Sequence, residues 1–242
     1  MLILAVLSIC VGHYFLIKYL VNRCRLISIN LDHNNGVSFM SIIFSTFLFS
    51  IVWIFSINSF ASGDPVIGES KAFQCETCHS KENLQMNPIW PFISGQNKEY
   101  LSKQILDYQS GERKHGVMQQ MVSKLNGLDI SDITKFYSEQ PVTVNSKQNS
   151  INSAGKMIYE SGVVSSGANA CVDCHGADGK SNAAGGFVTL SGQQKVYIKN
   201  QLYAFKYGDR TNDLNGLMQK SVEHMSDKEI ENVSEYISSL KF

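Results

Sequence analysis

The pentapeptide Cys75-Glu76-Thr77-Cys78-His79 returns as Cys171-Val172-Asp173-Cys174-His175, and this doubled CxxCH constrains the chain more than any other feature. Two thiols followed at once by a histidine match c-type haem attachment, in which the sulfurs form thioethers to the haem vinyl groups and the histidine becomes the proximal iron ligand. A single CxxC also suits a redox pair, half of a zinc site or a short disulfide loop. The attached histidine narrows these. The 96-residue offset between the motifs does not look like a compact zinc ribbon, and no βαβ pattern surrounds either one. Two covalently attached c-type haems are expected, held by Cys75, Cys78 and His79 and by Cys171, Cys174 and His175.

The 242 residues carry 21 basic and 21 acidic side chains, a balance that excludes a nucleic-acid-binding protein neutralising many phosphates. Residues 1–61 contribute Lys18, Arg23 and Arg25 against Asp32, which leaves the remainder close to neutral. Two apolar stretches, Met1 to Val21 and Val37 to Ile57, each approach the ~20 residues that span a bilayer. One reading makes residues 1–61 a membrane hairpin and anchor whose basic connection stays cytoplasmic. The other starts translation at Met40, with Ser41 to Ile57 as a signal-peptide core and cleavage after Ser59-Phe60-Ala61, although a basic leading segment is missing. Both deliver the region beyond Ser62 to the same exported compartment. The two remaining cysteines, Cys10 and Cys24, fall in this leading region, so no pair is left for a structural disulfide beyond it.

Beyond Ser62 the chain repeats itself. Aligning Ser94-Gly95-Gln96 with Ser191-Gly192-Gln193 also aligns Tyr100 with Tyr197, Gln104 with Gln201, Tyr108 with Phe205, Gly111 with Gly208 and Arg113 with Arg210, all at an offset of 97. After a few extra residues the offset is 100, pairing Met118 with Met218, Leu125 with Met225, Ile130 with Ile230 and Phe136 with Tyr236. Self-similarity over this length implies two copies of one domain. The polar stretch Pro141 to Ser150 marks the boundary, giving domains over 62–142 and 143–242 after the leading 1–61.

Within each copy the periodicity is helical: Tyr100, Leu101, Gln104, Ile105 and Tyr108 share a face that Tyr197, Ile198, Gln201, Leu202 and Phe205 repeat. Final helices are expected around Ile130 to Tyr137 and Ile230 to Leu240, with Ser131 and Ser226 as caps near their starts. Short helices should precede each CxxCH, around Ile67 to Cys75 and Asn152 to Gly162. Strand-like alternation is nearly absent, so the fold class is all-α: two tandem domains, each a small helical fold around one haem, with a long Gly-containing loop after the haem motif.

A sixth iron ligand separates a carrier from a haem that binds small molecules. Methionine closes that position and raises the reduction potential. Met118 lies 39 residues after His79, and Met218 lies 43 after His175. Methionine also fills core gaps, and Met121 competes with Met118, but only Met118 has a counterpart in the other copy. Met86, Met157 and Met225 read as core or haem-contact residues. His115 reads as a surface group near a haem edge, and His224 has no histidine counterpart. Arg113 and Arg210 point to haem propionates or helix ends, with a solvated charge of nearly equal weight.

These residues resemble the cytochrome c4 group of dihaem class I c-type cytochromes, over about residues 65 to 242. Two CxxCH motifs, a following Gly-Gln, Tyr-x-x-x-Gln, Gly-x-Arg, the methionine and the terminal helix carry the resemblance. It implies two cytochrome c folds packed together, His79 with Met118 and His175 with Met218 as axial pairs, and a periplasmic electron carrier. The redox partners it implies are a quinol-oxidising cytochrome bc complex and a terminal oxidase. The second copy has the Gly176-Ala177-Asp178-Gly179-Lys180-Ser181 loop of that group, whereas the first has Ser80-Lys81-Glu82-Asn83-Leu84-Gln85 and should fold differently there. Pro91 matches a proline whose carbonyl orients the proximal histidine; Val188 replaces it in the second copy and can accept the same bond. Two alternatives stand beside an electron carrier. A leading hairpin before two cytochrome domains also resembles the dihaem subunit of a cbb-type oxidase, and a dihaem peroxidase-like enzyme would need an open haem site.

Overall fold

The computed structural model describes residues 63–142, 152–180 and 187–240. The expected signal or anchor region, 1–61, lies outside these residues, as do residues 143–150 of the expected boundary stretch. Among the described residues no helix is long and apolar enough to cross a membrane.

The first copy begins with α1 (Pro65–Lys71), which Asp64 caps by accepting from the amides of Val66 and Ile67 while Pro65 occupies a position that needs no amide. It continues through α2 (Phe73–His79), α3 (Lys81–Met86), α4 (Lys98–Ser110), α5 (Gly116–Val122) and α6 (Gly127–Glu139). The second copy has α7 (Ser153–Ser161), the one-turn α8 (Val172–His175), α9 (Lys195–Lys206), α10 (Leu217–Val222) and α11 (Asp227–Ser239). It also has two 3-10 turns among the described residues, Val164–Ser166 and Leu214–Gly216. No strand occurs among the described residues; the one extended pairing is an isolated bridge between Val163 and Ala168.

Each copy has its own core, as a self-sufficient fold requires. Ala72, Leu101, Ile133 and Tyr137 fill the first. Ile158, Tyr159, Ile198, Phe205, Val222, Met225, Ile230, Val233, Tyr236, Ile237 and Leu240 fill the second. Burying such side chains is worth roughly 1.5–3 kcal/mol each, and the helical spacing of α4, α6, α9 and α11 places them on one face.

The opening and closing helices of each copy pack together, α1 along α6 and α7 along α11. A glycine sets how closely they approach. A Cβ on Gly68 would stand 2.2 Å from the Asp132 carbonyl oxygen, and one on Gly155 would stand 2.1 Å from that of Asn232. Phe136 and Tyr236, the aromatic pair of the repeat, flank the two crossings. Cys75 lies seven positions after Gly68 and Cys171 sixteen positions after Gly155; the bridged 163–168 turn occupies the longer second connection.

The caps divide the expectation for the closing helices. Ser226 caps α11 and forms a capping box with Glu229, as expected. In α6 that role belongs to Asn126, paired with Asp129, while Ser131 lies inside the helix because α6 starts one turn earlier than its apolar spacing implied. The segment after the first CxxCH departs from a plain loop as well. Ser80 caps it into α3, whereas the second copy turns through Gly176 and Gly179, both at positive φ.

Candidate functional site

Each CxxCH sits on a short helix, so the two cysteines and the histidine project from one turn and the next. All four thiols are free of disulfides. Burial pushes the Cys75 thiol up, and the same cause takes Cys171 to about 11. A redox pair needs a depressed thiol, which neither Cys75 nor Cys171 has.

The histidines are oriented alike. His79 Nδ1 lies 3.0 Å from the Pro91 carbonyl oxygen and His175 Nδ1 lies 3.1 Å from that of Val188. A carbonyl can only accept, so Nδ1 carries the proton and Nε2 keeps its lone pair for a metal. Burial lowers the basicity of both imidazoles, outweighing the opposing carbonyl bonds, so both are neutral near pH 7. The donor set fits haem: free thiols, a neutral Nε2 and a fixed ring in each copy. The expectation that Val188 substitutes for proline as acceptor is met.

Met118 and Met218 occupy equivalent places, each in the first turn of a short helix and each partly buried. Their own amides are capped by different chemistry: Met118 N–H points to His115 Nδ1 at 3.4 Å, and Met218 N–H donates to Asp213 at 2.7 Å. His115 is thus an exposed helix cap, a role the sequence reading missed, and it is close enough to His79 to help lower that ring's basicity. The far ends of these helices are tied by Gln109, which donates to the Val122 and Leu125 carbonyls, and by its repeat partner Lys206, which donates to Met225. Met121 is more exposed, at 39%. Met225 is core, whereas Met86 and Met157, at 76% and 66% exposed, are not core, which leaves haem contact as the remaining part of their expectation. His224 is exposed beside Glu223.

Arg113 and Arg210 are neither solvated nor helix caps. Both are buried between the copies, where the two Tyr-x-x-x-Gln helices α4 and α9 meet. Arg113 donates to Gln104 of its own copy at 2.8 Å and across the junction to Gln201 at 2.8 Å and the Tyr197 hydroxyl at 3.0 Å. Arg210 mirrors it, donating to Gln201 at 2.7 Å and across to Gln104 at 3.0 Å and Tyr100 at 3.3 Å. Gly111 and Gly208, at φ +84° and +77°, turn the chain so that each arginine folds back along its helix. The Arg113 amide then closes on Asp107 and the Arg210 amide on Ala204. Burial raises the Tyr100 phenol, but Arg210 and Arg113 outweigh it and leave it lowered, a sign of positive potential in the junction. The acceptors of these guanidiniums are neutral amide and phenol oxygens, a setting that suits anionic groups such as haem propionates close by.

A second reciprocal set uses the Gly-Gln motifs. Gln96 pairs with both backbone groups of Thr189, accepting at 2.7 Å and donating at 2.9 Å. Gln193 does the same to Phe92, with both bonds at 2.9 Å. Phe92 and Thr189 are themselves repeat partners. The motifs that make the repeat legible are therefore largely those that join the copies.

Known proteins place this arrangement. A cytochrome c family model matches residues 154–241, the second copy. Cytochrome c4 of Thiocapsa roseopersicina is 36% identical over 180 residues, covering 74% of this chain and 93% of that protein. Cytochrome c4 of Pseudomonas aeruginosa is 33% identical over 181 residues, covering 74% and 90%. The crystal structure of reduced recombinant cytochrome c4 from Pseudomonas stutzeri superposes with a TM-score of 0.69 at 32% identity, covering 74% of this chain and all of that one. With both CxxCH helices, both oriented histidines and a two-copy architecture inside the matched span, the chain belongs to the cytochrome c4 family and carries two covalent c-type haems.

Proposed function

We propose that this electron-transfer protein is a periplasmic carrier that takes electrons from a quinol-oxidising cytochrome bc complex and passes them to a terminal oxidase. Its two cytochrome c domains cover 62–142 and 143–242, and residues 1–61 serve export or anchoring. His79 with Met118 and His175 with Met218 are the axial pairs. A bound haem supplies a one-electron iron couple, and methionine–histidine ligation favours its reduced state. The chain's own part is to hold both ligands still and keep substrates away from the metal. The oriented imidazoles and the two matched, capped methionines serve that purpose.

The observation that carries this reading is the equivalence of Met118 and Met218, each half-buried at the start of a helix tied at both ends. A peroxidase-like enzyme needs one displaceable ligand, and the matched pair disfavours it. Membership of the cytochrome c4 family weighs against the cbb-type oxidase subunit. The test is reconstitution: purified protein should be reduced by bc complex and quinol and reoxidised by oxidase-containing membranes, and the reduced protein should not bind carbon monoxide. Carbon monoxide binding by the unmodified protein, or failure to exchange electrons with either complex, would overturn it. Stable co-purification with oxidase subunits would favour the cbb-type alternative.

A further inference from the structure

The Gly-Gln motifs do more than glue the copies together. Pro91 C=O and Phe92 N–H belong to a single peptide unit. Its oxygen accepts from His79 Nδ1, and its N–H donates to Gln193 Oε1 from the other copy. The same chain of bonds runs the other way: His175 Nδ1 to the Val188 carbonyl, and the Thr189 N–H of that peptide to Gln96 Oε1. Both glutamines are buried, and both amide groups are fixed in orientation by the second bond from Nε2 to the carbonyl of Thr189 or Phe92. Each Oε1 also accepts the amide of the next residue, Asn97 or Gln194, so it cannot swing away without losing two bonds.

We propose that each copy's glutamine tunes the haem of the other copy, Gln193 acting on the haem at His79 and Gln96 on the haem at His175. Hydrogen bonds in series through one peptide polarise one another, strengthening each by about 10–30%. An acceptor on the N–H makes the peptide oxygen more negative. A more negative oxygen pulls harder on the Nδ1 proton, makes the imidazole a stronger donor to iron and favours the ferric state. Gln193 and Gln96 are positioning residues: neither touches the haem, and each acts through a peptide and a histidine. The inference rests on His79 and His175 being the proximal ligands.

The test is a pair of variants in the full holoprotein, Gln193→Leu and Gln96→Leu. Redox titrations are read haem by haem from assigned haem-methyl proton resonances. Gln193→Leu should raise the potential of the haem at His79 and leave the other in place, and Gln96→Leu should do the reverse. The expected size is a several-fold change in the redox equilibrium, below the tenfold that corresponds to about 59 mV for one electron. Gln193→Glu keeps the acceptor for Phe92 N–H and should not raise the first haem. If a leucine variant loses haem, the unbranched Gln193→Met and Gln96→Met carry the same test. Equal shifts of both haems, a shift confined to the mutated copy's own haem, or no shift would overturn the coupling. A His79→Ala or His175→Ala protein that retained two unchanged low-spin haem spectra would instead overturn the ligand assignment beneath it.

Discussion

Replacing Gly155 by alanine adds one methyl group at the tightest helix crossing of the second copy, and two effects of opposite sign follow. Alanine is the better helix former by about 0.8–1.0 kcal/mol, so in α7 alone the change would stabilise. The new Cβ, however, would lie 2.1 Å from the Asn232 carbonyl oxygen, 2.7 Å from its carbon and 2.8 Å from Tyr236 Cβ. The first two are backbone and cannot rotate aside, so α7 and α11 must part by about an ångström. A gap of that size forfeits a quarter to a half of the dispersion energy of the facing contacts, here those of Ile158, Tyr159, Val233 and Ile237. Overpacking typically costs 1–3 kcal/mol, occasionally more, and this contact is at the severe end. The net expectation is a loss of about 2 kcal/mol, or roughly 1 M in the urea midpoint at a slope of about 2 kcal/mol/M. Gly127→Ala is the control, since nothing lies within 4 Å of its would-be Cβ at the start of α6, and it should be neutral or mildly stabilising. Urea titration of the haem-loaded proteins by circular dichroism measures both. Equal midpoints for the two variants would refute the close-approach argument.

Met118→Ala and Met218→Ala should each open one haem to carbon monoxide and lower its potential, whereas Met121→Ala should keep the six-coordinate spectrum of the parent; visible spectra of the reduced proteins decide. Ser226→Ala removes one half of the α11 capping box and should cost about 1 kcal/mol by thermal melting. For pH, Lys195 and Lys199 hold the Glu231 carboxyl low, and Lys71 holds Asp129 and Asp132 low. A carboxyl depressed in the folded state contributes stability above its unfolded value, and that contribution disappears as the pH falls through the folded one. Unfolded values near 4.5 and 3.8 therefore leave these contributions intact from pH 7 to about 5 and erode them below about 4.5. Urea midpoints across that range check this, and a midpoint that rises on acidification would contradict it.

Much of the fold was legible because the physics that shapes it is local or repeated. The spacing of Leu101, Gln104 and Tyr108, and of Ile198 and Phe205, is that of a one-sided helix. CxxCH carries its chemistry in five consecutive residues. Ser226 announces α11 through Glu229. Other features depend on pairs that no local pattern records. Gly68 and Gly155 look like ordinary glycines until Asp132 and Asn232 are brought against them. Their flanking aromatics, Phe136 and Tyr236, already stood in the repeat alignment and were the available clue. The 97-residue offset also held a clue to the junction. It equated residues such as Gln104 with Gln201 and Arg113 with Arg210, whose polar side chains fall on otherwise apolar helix faces or just after them. An arginine reading restricted to one copy could see only a propionate, a helix end or water, because most of the acceptors, Tyr197 and Gln201 for Arg113 and Tyr100 and Gln104 for Arg210, lay on the other.

That same alignment shows where the copies diverge, and it bears on whether the two haems are equivalent. The glutamine and arginine bonds of the junction are reciprocal in their partners, yet the caps of the helices that carry Met118 and Met218 are a histidine in one copy and a carboxylate in the other. Glu76, bonded by the Tyr137 hydroxyl at 2.5 Å, sits inside the first haem motif. In the second copy Ile237 stands at the position of Tyr137, and a phenol from the opening helix, Tyr159, instead donates to the Gly176 carbonyl just after the motif at 2.6 Å. A carboxylate near a haem biases it toward the oxidised state, and the two copies differ in theirs, with Glu76 of the first motif replaced by Val172 in the second and Asp213 replacing His115 as the cap. A redox titration should accordingly need two one-electron components. Asp213→Asn isolates one cause: the amide oxygen can still accept from Met218 and Gln219, but the negative charge is gone. The second haem should become easier to reduce while the first stays in place, at a stability cost of about 0.3–1 kcal/mol from the lost charge at the helix N-terminus. Two superimposable one-electron titrations in the parent, or a displacement of the first haem in the variant, would show that the copies are electrically alike despite their different caps.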